Sequence, residues 1–239
     1  MKKILLASLI LFVVSVQDIC ADNVVLTQAE VKKVEMGMLK GAMQRDDVKA
    51  IASVALSFLL TSEDKSYDGD REKLHKKAVF LSLYCAKHKD IATTLFVITK
   101  YKQVDPKFAL LIAKEFKNAT KDDMEIKLDA RYYNIIMLYA SIVLDSYSQN
   151  KDEVNEAIET IMALRNKTPE MSFYLAYLFN AIGNTDIADM FLNEACHAAR
   201  PNSKVYQYCT SGSDIEQEDL LEKKVSNPDC KKDIGKRCK

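Results

Sequence analysis

The chain has 239 residues, 48% apolar and 28% charged, and lysine plus arginine equals aspartate plus glutamate at 34 each. This is globular rather than disordered composition, six glycines and four prolines are too few for a turn-rich β fold, and the balanced charge supplies no global field for nucleic acid or an acidic membrane surface. What remains is an all-α chain, long enough for one sizeable domain or a short array of helical repeats.

The opening M-K-K-I-L-L-A-S-L-I-L-F-V-V-S-V-Q-D-I-C-A-D-N carries two lysines, an apolar run from Ile4 to Val16, and a polar segment closing on Ile19-Cys20-Ala21. That order reads as a secretory signal over residues 1–21, cut after Ala21. The run falls short of the ~20 residues that span a bilayer, so no integral membrane span is expected in the mature chain. Asp18 and Ile19 stand where lipoprotein signals place small residues, which disfavours lipidation at Cys20. The Met-Lys-Lys start and the lysine-rich composition fit a bacterium, and the expected location is periplasmic or secreted.

A first antiparallel pair is expected from T-Q-A-E-V-K-K-V-E-M-G-M-L-K-G-A-M and V-K-A-I-A-S-V-A-L-S-F-L-L, where apolar residues recur at helical spacing. The polar S-E-D-K-S-Y-D-G-D is the clearest loop, after which Arg71 opens a helix running to about Lys87. Asp90 caps the segment I-A-T-T-L-F-V-I-T-K-Y, which ends at Asp105-Pro106, and K-F-A-L-L-I-A-K-E-F forms the next helix. A longer helix is expected from about Asp123 to Tyr147, followed by helices over 152–166, 169–182, 185–199 and 203–210. Residues 22–210 thus form the helical domain, and 211–239 a charged, cysteine-containing tail.

Without Cys20 the mature chain keeps Cys85, Cys196, Cys209, Cys230 and Cys238, an odd number that leaves at least one unpaired thiol or a bond to another chain. Cys85, inside F-L-S-L-Y-C-A, reads as the buried free cysteine, and the last four as disulfide candidates with three possible pairings. Cys196 and Cys209 flank the turn Arg200-Pro201-Asn202. In an antiparallel hairpin about that turn they fall about half a helical turn out of register, so a bond is feasible if the Cα atoms approach within ~7 Å. Cys230 and Cys238 would close a separate loop around Gly235.

Repetition is the most informative feature. Leu175-Ala176, Phe179, Gly183-Asn184, Ala188, Leu192, Ala195 and Pro201 follow a small residue, a turn, and A-x3-F-x2-A-x4-P, with the proline one place late. Weaker echoes occur at Ala157, Ile161, Leu164, Pro169 and at Ala92, Phe96, Thr99, Pro106. This resembles the tetratricopeptide family. The resemblance implies a right-handed stack of antiparallel helix pairs, an α-solenoid, with a compact helical bundle as the alternative. It also implies that the first helix of each pair lines a concave groove, so that Phe173, Tyr177 and Asn180 would contact a protein or peptide partner.

Signatures of chemistry are missing. Asp64, Ser66, Asp68 and Gly69 match the first half of a calcium-binding EF-hand loop, but His75 stands at the twelfth position in place of the bidentate glutamate, and Arg71 replaces an apolar residue. A solvated interhelical loop is the better reading. Cys85 and His88 make half a zinc site that His75 and His197 do not complete. There is no G-x-S-x-G, H-E-x-x-H, phosphate-cradling glycine loop or C-x-x-C. The expectation is a non-enzymatic, exported adaptor for a peptide or envelope protein, with no cofactor and no metal, serving in secretion or surface assembly. A secreted effector or toxin-like protein and a helical enzyme of unrecognised type are the alternatives.

Overall fold

The computed structural model describes residues 25–146, 150–165 and 167–211. The signal segment with its cleavage site, and Cys230 and Cys238 in the tail, lie outside the described residues. Among the described residues every regular element is helical, and no helix is long and apolar enough to cross a membrane. The helices group into two compact units that divide between Arg131 and Tyr132.

The first unit starts with helix α1 (Gln28–Lys33), where Thr27 and Glu30 form a reciprocal capping box. Val34–Leu39 then winds as a π-helical turn, and α2 (Lys40–Arg45) continues it. Helix α3 (Val48–Glu63) is the centre of the unit: Ile51, Val54, Ala55, Phe58 and Leu59 repeat at helical spacing and are fully buried. Against it packs α4 (Arg71–Lys87), which turns Leu74, Ala78, Leu81 and Cys85 inward. Helix α5 (Ile91–Tyr101) and helix α6 (Pro106–Ala119) pack on each other and on α4, with Pro106 at the first helical position behind the Asp105 cap.

The long helix expected from Asp123 begins seven residues later. The Asp123 carboxylate accepts from Ile126 N–H at 3.1 Å and closes a 3-10 turn over Ile126–Leu128. Asp129 then takes an extended conformation, ψ 127°, and accepts from the Arg131 backbone N–H at 2.8 Å and from its guanidinium at 2.6 Å. Local side-chain bonds of this kind compete with helix, and here they win.

The second unit comprises α7 (Ala130–Ser146), α8 (Lys151–Met162), α9 (Pro169–Ala181), α10 (Thr185–Ala198) and α11 (Lys204–Ser211). Helix α9 packs on α8, α10 and α11, and α11 also touches α10. Tyr132 and Tyr139 of α7 are both buried, and the Tyr139 hydroxyl donates to Glu156 of α8 at 3.1 Å.

One turn recurs at three places. Asp46, Lys89 and Gly183 are left-handed, with φ of 54°, 64° and 86°. The next residue sends its N–H back five positions, Asp47 to Ala42, Asp90 to Cys85 and Asn184 to Phe179, each at 2.9 Å. Its side chain then accepts from the N–H three residues ahead, at Ala50, Thr93 and Ile187. Each is a left-handed helix stop whose last donor is the next helix's N-cap.

Candidate functional site

The structure places the three residues of the expected partner stripe on α9 but buries two of them. Phe173 and Tyr177 are 2% and 3% exposed, their ring centroids 4.9 Å apart, and Tyr208 of α11 meets Phe173 edge-on at 5.0 Å. Phe173 and Tyr177 are thus turned inward, and the ring of Tyr208 from the closing helix packs on Phe173. Asn180 is half-buried.

That closing helix is held covalently. Cys196, near the end of α10, is bonded to Cys209 in α11, with Cα atoms 5.6 Å apart. Asn202, in the turn between the two helices, takes a left-handed φ of 71°. Cys85 is free and fully buried, and burial first, then the nearby Asp90 carboxylate, push its thiol up to about 12.

The acidic groups of the Asp64–His75 loop serve the backbone. Asp64 accepts from the Ser66 N–H and hydroxyl at 2.7 and 2.6 Å, Asp68 from Gln28 N–H at 3.1 Å, and Asp70 from Lys73 N–H at 2.9 Å. Arg71 donates to the carbonyls of Ser62 and Glu63, closing the end of α3. A Cβ at Gly69 would lie 2.4 Å from the Tyr67 hydroxyl, so a larger residue there requires the Tyr67 ring to shift. His88 stacks on Tyr84 at 4.1 Å, and the Tyr84 hydroxyl donates to Asp46. Among the described residues no three histidine, cysteine, aspartate or glutamate side chains gather where a metal ion could be held.

The feature open to solvent lies in the first unit and was not anticipated. A groove of about 540 Å³ runs between the α1–α2 segment, which supplies Glu35, Leu39 and Met43, and the outer side of α4, which supplies Lys73, Lys76, Lys77, Phe80 and Leu81. Phe80 is 61% exposed, and Met36 beside it in sequence to Glu35 is 79% exposed. Lys77 and Glu35 pair across the groove, and Lys76 pairs with Glu72 along the surface of α4 at 2.5 Å. The signal was present in the sequence: Lys73, Lys76, Lys77 and Phe80 stand at i, i+3, i+4 and i+7, so a large aromatic ring shares the lysine face of α4 rather than its buried one. An apolar floor under a charged rim can hold the side of another polypeptide.

No protein-family model matches the chain, and neither a curated protein nor a solved structure matches it.

Proposed function

We propose that this chain is a non-enzymatic helical adaptor that works outside the cytoplasm and binds a peptide or an envelope protein. The observation that carries the reading is the groove beside α4, where Phe80 is exposed while Leu74, Ala78, Leu81 and Cys85 of the same helix are buried. Large exposed rings in a concave surface mark docking sites more often than they serve solubility. The Cys196–Cys209 bond supports an oxidising compartment, in keeping with the signal-like first 21 residues. The helix pairs of each unit, joined by the recurrent left-handed turn, are the building blocks that a tetratricopeptide-like stack would use, and the stack itself is part of the proposal.

The test is photo-cross-linking in living cells with benzoylphenylalanine in place of Phe80, and in parallel in place of Leu111 on α6. The proposal expects one abundant adduct from position 80 that is absent from position 111, recovered from the periplasmic or released fraction. Equal adduct patterns from the two positions, or a chain retained in the cytoplasm, would refute it.

A further inference from the structure

The groove's chemistry narrows the partner, an inference that rests on the docking role just proposed. We propose that it takes an acidic amphipathic helix of a partner protein, apolar side toward Phe80 and carboxylates toward Lys73 and Lys76. Lys73 to Leu81 covers eight residue steps of α4, about 12 Å at the helical rise, so the groove matches roughly two turns of a second helix lying alongside.

Charge supplies the sign. The groove walls hold three lysines and one glutamate, and Glu35 is already engaged by Lys77. Lys76 has Glu72, but both side chains are more than 70% exposed, and such a pair is weak and screened. Among the described residues Lys73 has no carboxylate partner. A basic segment would meet three like charges, whereas an acidic one would find two lysine heads flanking an apolar floor. A second copy docking through the same face would bring lysine against lysine, which disfavours a two-fold self-pairing. A flat lipid surface is a poorer fit than a narrow convex element, because Leu81 at the groove floor is only 3% exposed.

The opposite wall is built to adapt. Gly37 sits in the π-helical turn with nothing within 4 Å of where a Cβ would lie, so packing does not demand a glycine there. Two methionines, Met36 and Met43, are exposed on the same segment. Met43, the methionine that lines the groove, carries a flexible thioether that suits varied apolar side chains, while the lysines on α4 keep the demand for acid.

The experiment is selection of a random 12-residue display library on the chain from Asp22 to Lys239, with Phe80→Asp as counter-selection and salt titration of the recovered peptides. The expected result is peptides with apolar residues at i and i+3 or i+4 flanked by aspartate or glutamate. Their affinity should fall with salt and drop at least about tenfold in Lys73→Glu/Lys76→Glu, two reversed rim charges being enough for that factor. Enriched peptides that are neutral or basic yet lost with Phe80→Asp would overturn the acidic partner and keep the groove. No enrichment over Phe80→Asp would overturn the groove itself. Binding to vesicles of anionic phospholipid that Phe80→Asp abolishes, without peptide enrichment, would assign the face to a lipid surface and refute both.

Discussion

Breaking the Cys196–Cys209 bond should release α11 before anything else in its unit. The helix has eight residues, fewer than the ~12–15 that an isolated helix needs to be even marginal in water, and its buried anchors are Val205 and Tyr208. The bond joins residues 13 apart, and the chain-entropy relation gives about 3 kcal/mol for a loop of that size. If α11 opens locally, that figure is a factor of about 150 in its opening equilibrium. Native-state hydrogen exchange reads it directly. In Cys196→Ser/Cys209→Ser the amides of Gln207 and Tyr208 should lose protection by about two orders of magnitude, while those of α8 change little, because opening is confined to nearest neighbours. The double variant avoids leaving a thiol free to mispair with Cys230 or Cys238. Unchanged protection in α11 would show that packing alone holds the helix. Equal loss through α8 and α9 would show that it opens only with the whole unit.

Tyr177→Ala should lower the unfolding free energy by about 3–5 kcal/mol, the range for truncating a buried aromatic, as measured by urea denaturation; a loss below about 1 kcal/mol would contradict its interior placement. Thr94→Val removes a fully buried hydroxyl that has no hydrogen-bond partner among the described residues and should stabilise by about 1 kcal/mol in the same assay. Destabilisation of similar size would mean that the hydroxyl is satisfied after all. Asp129 is held below the ordinary aspartate range by the Arg131 guanidinium first and the Arg131 backbone N–H second. Its folded carboxyl therefore releases its proton more readily than the unfolded one, so the contribution to stability is complete above the unfolded value and is lost as pH falls through the folded one. Carbon-13 titration of the carboxyl should give a depressed midpoint that Arg131→Gln raises toward normal, and a midpoint at or above normal in the parent would defeat the assignment.

Helix stops and starts were legible wherever a short polar side chain stands directly before an apolar run. Asp90 caps as expected, Asp47, Asp105 and Asn184 cap by the same rule, and Arg71 and Lys87 bound α4. The rule failed at Asp123 because two acidic residues compete for the role, and Asp129, nearer the apolar run, wins by bonding Arg131. The π turn at Val34–Leu39 left no mark in an apolar pattern that tolerates one extra residue. Burial of Phe173 was hidden for a different reason. Helical spacing tells which residues share a face, but only the path of the chain after Pro201 decides that Tyr208 comes back to cover that face. The groove was missed because Phe80 was read as part of one apolar run with Leu81 and Cys85, although it is exposed where they are buried.

The recurrent turn has a mechanical consequence. At Asp47, Asp90 and Asn184 a single residue supplies both the final donor that ends one helix and the acceptor that begins the next. No residue is left over to act as a hinge, since rotating either helix about this point breaks the end of the other. Each of these hairpins therefore behaves as a stiff bracket with a preset opening angle, and a substitution at its corner residue loosens two helices at once. Any reshaping of the first unit around an occupant must be taken up away from the corners, in the Ser66–Gly69 stretch or the π-wound wall. Compliance is thereby left to segments away from the corners, the π-wound wall of the groove among them, while the brackets keep their form.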